Sequence, residues 1–328
     1  KIINMKFKDL KATLKNGVSP VYLIEGADAY LRESAFKSIL GAAITNVEFN
    51  LDEFSGQDVK IRPDEIYAAF LSYPFLSDKR LIKINEFYPT ASDLKGAMLK
   101  KLLNEENDTT VLVIVNEKAC AALKKQPRVT LIDCGRLDDA LIAKWIMKRA
   151  LLSKTAIDQS AANLLIEYTL GDMTRVSTET EKLIAYAGEN GVIDEKAVEA
   201  VAIKDVDYEV YELTECIALK NSGKAFEILK AMFDKNEDKQ RLFTAIFYHI
   251  RRLFYSSISA ASTAELASTF GVHEYAVIKA KQQAKRFKVK RLKRIMDKFQ
   301  ELDADFKSGE ITVNDALFNS IFEILTEE

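Results

Sequence analysis

The stretch VYLIEGADAYLRES (21–34) decides the fold. Four β-favouring apolar residues, Val21 to Ile24, run into Glu25 and Gly26, and a helix-like segment follows. Strand, glycine turn and helix in that order are the layout of a phosphate-binding loop, G-x-x-x-x-G-K-[ST]. Counting from Gly26, the second glycine of the motif falls on Leu31, the lysine on Arg32 and the hydroxyl residue on Glu33. Each change has a physical consequence. A leucine side chain obstructs the backbone where the second glycine would let it wrap phosphate. The Arg32 fork is not equivalent to a lysine point charge. Glu33 sets a carboxylate beside the phosphates and repels them, while suiting a helix N-terminus. The loop keeps the layout of a nucleotide site and lacks its chemistry.

Working outward, the first 135 or so residues alternate strand and helix patterns. Strand candidates are VYLI (21–24), VEFNLDEF (47–54), RLIKIN (80–85), TVLVIVN (110–116) and RVTLID (128–133). They are short and rich in apolar or β-branched residues. Helical patterns lie between them at 30–40, 63–72 and 93–104. This rhythm predicts a parallel five-stranded sheet covered on both faces. The strand at 80–85 ends in Asn85 and Glu86, where an ATPase would place a metal-binding Asp and a Glu. The strand at 110–116 ends in Asn116, at a common position for a polar sensor. Each ending taken alone also fits an ordinary buried strand with a polar tip. Their joint order favours a nucleotide-binding ancestor.

After residue 136 the strands stop. Helical patterns at 137–204, with Leu141, Trp145, Met147 or Lys148, and Leu152 near helical spacing in the first, predict a small helical domain. From 205 to 328 the pattern is helical throughout. In RLFTAIFYHIRRLF, the residues Leu242, Phe243, Ile246, Phe247, Ile250, Leu253 and Phe254 share one face. The expected division is an α/β domain at 5–136, a small helical domain at 137–204 and an all-α domain at 205–328.

Composition narrows the function classes. The chain of 328 residues is 48% hydrophobic, with 47 basic and 49 acidic residues and a net charge of −2, so overall charge does not point to nucleic acid. Its three cysteines, Cys120, Cys134 and Cys216, have no metal or disulfide spacing, and a reducing cytoplasm is the simple reading. With only His249 and His273, a histidine metal site or catalytic triad is not expected. No metal and no cofactor is expected. No apolar run is long enough to span a membrane, and no signal peptide is visible. Met5 reads as a natural start, with residues 1–4 as an extension.

Three other stretches bear on function. In YPFLSDKR (73–80), Tyr73, Phe75 and Leu76 flank Pro74 directly before a strand. Pro74 restrains the backbone and disfavours helix at Tyr73. Such a turn either plugs the domain core or forms an exposed wedge for a partner's pocket. In the second case, burying a Phe and a Leu contributes roughly 3–6 kcal/mol, enough for a two-residue hot spot. The stretch AELASTFGVHEYAVIKA (264–280) has the outline of a helix-turn-helix around Gly271, or of two helices packed in a bundle. Residues 279–298 hold ten Lys or Arg and one acid. Lys285, Arg286, Lys288 and Lys290 are candidates for phosphate contact; a solvated helix face is the plainer reading.

Taken together, PVYLIEGADAYL, YPFLSDKRLIKI, LIDCGRLDDALIAKWI, GDMTRVSTETEKLIAYAG, VYELTECIALKNSGKAFEIL, QQAKRF and LDADFKSGEI resemble the delta-subunit family of the bacterial DNA polymerase III clamp loader. The stretches keep the family's order over essentially all of 5–328. The resemblance implies an AAA+-like module that does not bind ATP, formed by the first two domains, and a helical collar domain that joins a pentameric loader with gamma/tau ATPase subunits and a delta-prime subunit. It implies no intrinsic catalysis, a place in a complex whose activity is DNA-directed DNA polymerase, cytoplasmic location, and binding to the beta sliding clamp, one ring interface of which is held open for loading on primed DNA. The family's hydrophobic clamp-binding pair maps onto the 73–76 turn. Phe75 matches its phenylalanine. The leucine that often precedes it is Pro74 here, which turns the aliphatic contact toward Leu76. Two rivals are weighed against this: an active AAA+ ATPase, opposed by Leu31, Glu33 and Asn85, and a helix-turn-helix DNA-binding protein, opposed by the near-neutral charge and the lack of a dimerisation signature.

Overall fold

The computed structural model describes residues 3–234, 238–272 and 274–326. The chain falls into two compact units, 1–144 with 172–177, and 145–171 with 178–328.

The first unit is built on a parallel sheet whose strands are β1 (Ile3–Lys6), β2 (Val21–Glu25), β3 (Leu51–Ser55), β4 (Arg80–Asn85), β5 (Thr110–Asn116) and β6 (Val129–Asp133). Their spatial order is β1-β6-β2-β5-β4-β3, with every neighbouring pair parallel. The sheet therefore has six strands where the periodicity predicts five. The extra edge strand begins within the residues read as an extension, Ile3 lying opposite Thr130, and runs through the expected start, Met5 lying opposite Ile132. Four residues give too short a pattern to register as a strand by alternation alone. The 47–54 stretch also divides. Val47–Asn50 makes one helical turn and β3 begins at Leu51.

β2 and β5 lie inside the sheet and are covered on both faces, which explains their continuous apolar runs. One face buries Leu23, Ile82, Ile84, Leu112 and Ile114 against Ile66, Phe70, Leu102 and Leu103. Helix Ala29–Ala43 packs on β2, β4 and β5 and buries Leu31, Ala35, Phe36 and Ile39. Lys83 lies 4.3 Å over the Phe36 ring.

The second unit is helical apart from a two-stranded parallel pair, β7 (Ala156–Ile157) and β8 (Val192–Ile193). Helix Asp139–Leu152 spans the boundary between the units. Its buried positions are Ile142, Ala143, Ile146 and Ala150, while Leu152 is exposed. The apolar stripe therefore lies one position away from the expected Leu141, Trp145 and Leu152 register. Farther on, helices Val206–Ala218, Ser222–Asp234, Lys239–Ile258, Val289–Ser308 and Val313–Leu325 share one core. The face read from the sequence of Lys239–Ile258 is buried, with Phe247 partly so. Helices Thr263–Phe270 and Glu274–Ala284 pack through Leu266, Ala267 and Val277. Gly271 ends the first of these with a left-handed φ of 65°. The 264–280 outline is thus a packed helix pair; His273 within it lies outside the described residues.

Candidate functional site

Gly26 stands at the C-terminal end of β2, between β5 and β6, where open parallel sheets bind their ligands. The geometry of a phosphate loop is there, but three of its amides, those of Gly26, Asp28 and Leu31, already have acceptors within the protein. The Gly26 amide donates to the Asn116 carbonyl at 3.3 Å, and the Asp28 amide to the Cys134 carbonyl at 3.2 Å. The Asp28 carboxylate caps helix Ala29–Ala43 by accepting from the Leu31 amide at 2.9 Å. It therefore sits at the positive helix end that would attract a phosphate. The Arg32 guanidinium folds back onto the Gly26 carbonyl. Leu31 is 0% exposed and belongs to the core. Glu33 points outward and pairs with Lys37 at 3.3 Å, one turn along the helix. Gly26 itself has a φ of +143°, and a Cβ there would lie 2.2 Å from the Cys134 carbonyl carbon. The glycine is required by backbone packing, whatever the loop binds.

The ends of β4 and β5 are tied together by side chains. Asn116 is fully buried. It accepts from the Phe87 amide at 2.9 Å and donates to the Phe87 carbonyl at 2.8 Å. The residue in the sensor position thus clasps a neighbouring strand end. Glu86 has a left-handed φ of 53°, accepts from the Glu117 amide at 3.0 Å, and takes the Tyr88 hydroxyl. Asn85 ends β4 half-buried. Glu25 is buried beneath these strand ends, accepts from the Cys120 amide at 3.1 Å and pairs with Lys124. Among the described residues no group of three or more His, Cys, Asp or Glu is placed to hold a metal ion, and no helix is long and apolar enough to cross a membrane.

The 73–76 turn has the opposite character. Helix Pro63–Leu71 stops at Ser72, ahead of Tyr73-Pro74, and β4 starts at Arg80. Between them Tyr73 is 86%, Phe75 55% and Leu76 77% exposed, so this apolar segment does not plug the core. The turn is nevertheless held. Asn50 accepts from the Phe75 amide at 2.7 Å and donates to the Phe75 carbonyl at 2.9 Å. Asn46 donates to the Leu76 carbonyl at 2.8 Å. Leu76 has a φ of 50°, a left-handed conformation that costs a non-glycine residue about 1–2 kcal/mol. Phe49, 62% exposed, meets the Phe75 ring edge-to-face at 5.4 Å. Sequence reasoning missed Phe49, Asn46 and Asn50, because the 47–54 stretch reads as a strand. The available signal was Asn46 and Asn50 one helical turn apart, around an apolar pair, Val47 and Phe49.

Half of the basic residues at 279–298 are ion-paired. Arg286 pairs with Glu215, Lys279 with Glu167 at 3.1 Å, Lys293 with Asp297 at 2.8 Å and Arg294 with Glu323 at 2.7 Å. Of the four candidate phosphate contacts, Lys285, Lys288 and Lys290 are exposed and have no partner among the described residues.

Comparison with known proteins agrees on one family. Residues 22–133 match the family model for the DNA polymerase III delta subunit, and residues 207–323 that for the C-terminal domain of the same subunit. The chain is 22% identical over 325 residues to DNA polymerase III subunit delta of Bacillus subtilis, covering 93% of this chain and 92% of that protein. The solved structure of the Bacillus subtilis DNA clamp loader delta protein superposes with a TM-score of 0.78 at 19% identity, over 98% of this chain and all of that one. That likeness carries the fold: a parallel sheet with helices followed by a helical C-terminal part. The two family models cover both ends of the sequence in the right order, and the chain belongs to the delta-subunit family of DNA polymerase III.

Proposed function

We propose that this DNA polymerase III subunit binds the beta sliding clamp through the 73–76 turn and helps to hold one ring interface open, without binding or hydrolysing ATP itself. The observation that carries the reading is the exposure of Phe75 and Leu76 on a turn fixed by side-chain hydrogen bonds. A hydrophobic pair presented in one conformation enters a pocket without a large ordering cost. The engaged amides around Gly26 and the buried Leu31 support the second half of the proposal.

In this reading the work is differential binding, since a subunit that prefers the open ring shifts the clamp toward it. ATP-driven motion comes from the gamma/tau partners, with delta-prime completing the cytoplasmic pentamer. The chain divides by role into an AAA+-like part at 5–136 carrying the turn, a small helical part at 137–204 and a collar at 205–328. Tyr73 and Pro74 shape the turn, Phe75 is the main anchor and Leu76 the aliphatic one. Primed DNA is met weakly, through Lys285, Lys288 and Lys290, with Arg286 held back by Glu215.

The test is calorimetry of the full chain with its cognate clamp in the absence of nucleotide. Phe75→Ala is expected to weaken binding by about 2 kcal/mol or more, roughly thirtyfold in Kd, with Leu76→Ser smaller in effect. Unchanged binding by Phe75→Ala, or ATP hydrolysis by the isolated chain, defeats the reading.

A further inference from the structure

The exposed apolar surface around Phe75 comes from two separate pieces of chain. One is the 73–76 turn. The other is the helical turn Val47–Asn50, which ends at β3. Phe49 projects from it and meets Phe75 with the two rings inclined at 62°, both substantially exposed. Edge-to-face rings at this separation attract each other through their quadrupoles, beyond the area they bury. The pair therefore presents a two-ring surface in a set orientation rather than one mobile side chain.

The join between the pieces is Asn50. Its side chain is fully buried although both neighbouring turns are on the surface. The carboxamide bonds the N–H and the C=O of the same residue, Phe75, and also reaches the Asn46 carbonyl at 2.9 Å. This satisfies three backbone groups and leaves Phe75 no freedom to rotate its peptide. Asn46 and Thr45 then hold the next carbonyl, that of Leu76, at 2.8 and 3.4 Å. These bonds stabilise the left-handed conformation that turns the Leu76 side chain out. A connector between a helix and a strand has no need of this restraint, and contiguous exposed apolar surface marks an interaction site.

We propose that the partner-binding element is bipartite: Phe49 is a third anchor beside Phe75 and Leu76, and Asn50 and Asn46 are positioning residues that preset its shape. The inference rests on the reading of Phe75 as a clamp contact. The pocket it fits is an apolar cleft that admits two rings set edge to face with an aliphatic side chain alongside, which is wider than a slot for one phenylalanine.

The experiment measures association and dissociation of the full-length chain on immobilised clamp, for wild type, Phe75→Ala, Phe49→Ala, Asn50→Ala and Asn46→Ala. Phe49→Ala is expected to weaken binding about tenfold, mainly through faster dissociation. Asn50→Ala is expected to lose about tenfold or more by loosening the turn. Asn46→Ala is expected to lose roughly threefold, for one hydrogen bond. Hydrogen exchange followed by mass spectrometry should show the 72–79 segment losing protection in the Asn50 and Asn46 variants while the sheet keeps its own. Phe49 and Asn46 are on the surface, so those two variants keep the test open where Asn50→Ala fails to fold. If Phe75→Ala abolishes binding while Phe49→Ala and Asn46→Ala bind within about twofold of wild type, a difference too small for an anchor, the bipartite element is refuted and the clamp reading stands. If Phe75→Ala itself binds like wild type, the underlying reading falls with it.

Discussion

At the residue scale, Leu31 and Asp28 are where this loop departs from the arrangement of a phosphate-binding loop. Leu31 occupies the place of a glycine and is buried in the core beneath the helix. Asp28 keeps the helix terminus for its own carboxylate. Restoring the motif letters therefore should not restore the site. In Leu31→Gly combined with Glu33→Ser, the Gly26 and Asp28 amides keep their internal acceptors and the Asp28 carboxylate still repels phosphate. The lost core side chain and the added helix glycine together cost roughly 3–6 kcal/mol. The expected outcome is a clear drop in the urea midpoint and no binding of a fluorescent ATP analogue. Nucleotide binding by the double variant would mean that Leu31 and Glu33, and not Asp28 or the engaged amides, keep nucleotide out. Leu31 was legible because a motif specifies residue types at fixed places; Asp28 was not, because it falls on a position the motif leaves open. Asn50 was not, since its role depends on a turn 25 positions away that no local pattern connects to it.

At the element scale, helix starts and buried faces follow local rules. Ser55–Asp58, Ser262–Glu265 and Thr312–Asp315 form reciprocal caps at three helix starts. The apolar stripe of Lys239–Ile258 is read correctly from spacing, since seven apolar positions outvote any single one. Helix Asp139–Leu152 is misread because apolar residues surround it, and Leu151 and Leu152 are exposed. Where spacing is silent is the polar content of the core. His249, on the buried face of Lys239–Ile258, lies 2.8 Å from Gln283 Oε1 and 2.9 Å from Thr214 Oγ1. Gln283 in turn donates to the Tyr211 carbonyl and to Glu215, both at 3.1 Å. Burial, with Arg252 nearby, lowers the His249 pKa from 6.5 to about 3. The folded state thus resists a proton that the unfolded chain accepts. Stability is unaffected by this group above pH 6.5 and falls with pH from there toward about 3. Between about pH 7 and about pH 5 the loss is about 2 kcal/mol. The capping carboxylates of Asp58, Glu265 and Asp315 are held below their ordinary range by N-cap hydrogen bonds and do not titrate in that window. Urea unfolding at both pH values should show the loss in wild type and a flatter profile in His249→Asn; equal pH slopes would contradict the assignment.

At the scale of the whole molecule, the six-stranded unit keeps the strand–turn–helix layout at Gly26 and also exposes the apolar 73–76 turn, and charge has to be judged locally. The net charge of −2 gives no general attraction for nucleic acid. Ion pairs absorb Lys279, Arg286, Lys293 and Arg294 within the basic stretch. Lys298 pairs with Glu301, and Lys281 and Arg291 donate to the Ala261 and Ile324 carbonyls. Lys285, Lys288 and Lys290 have no partner among the described residues; they lie at the end of Glu274–Ala284 and the start of Val289–Ser308. Three such ammonium groups on one short connection would attract a phosphate backbone, but would contact few phosphates and read no bases. Binding to primed DNA should then be weak, indifferent to sequence and strongly salt-dependent. Each lysine that contacts a phosphate contributes about 0.9 to the slope of log affinity against log salt on duplex DNA. Replacing all three with alanine should lower the slope by roughly 2–3, whereas Arg286→Ala should leave it within about half a unit. Fluorescence anisotropy of a labelled primed duplex across a salt series measures both. A slope unchanged by the triple replacement would place the DNA contact elsewhere in the chain, and a slope that fell with Arg286 would mean that its pairing with Glu215 opens when DNA arrives.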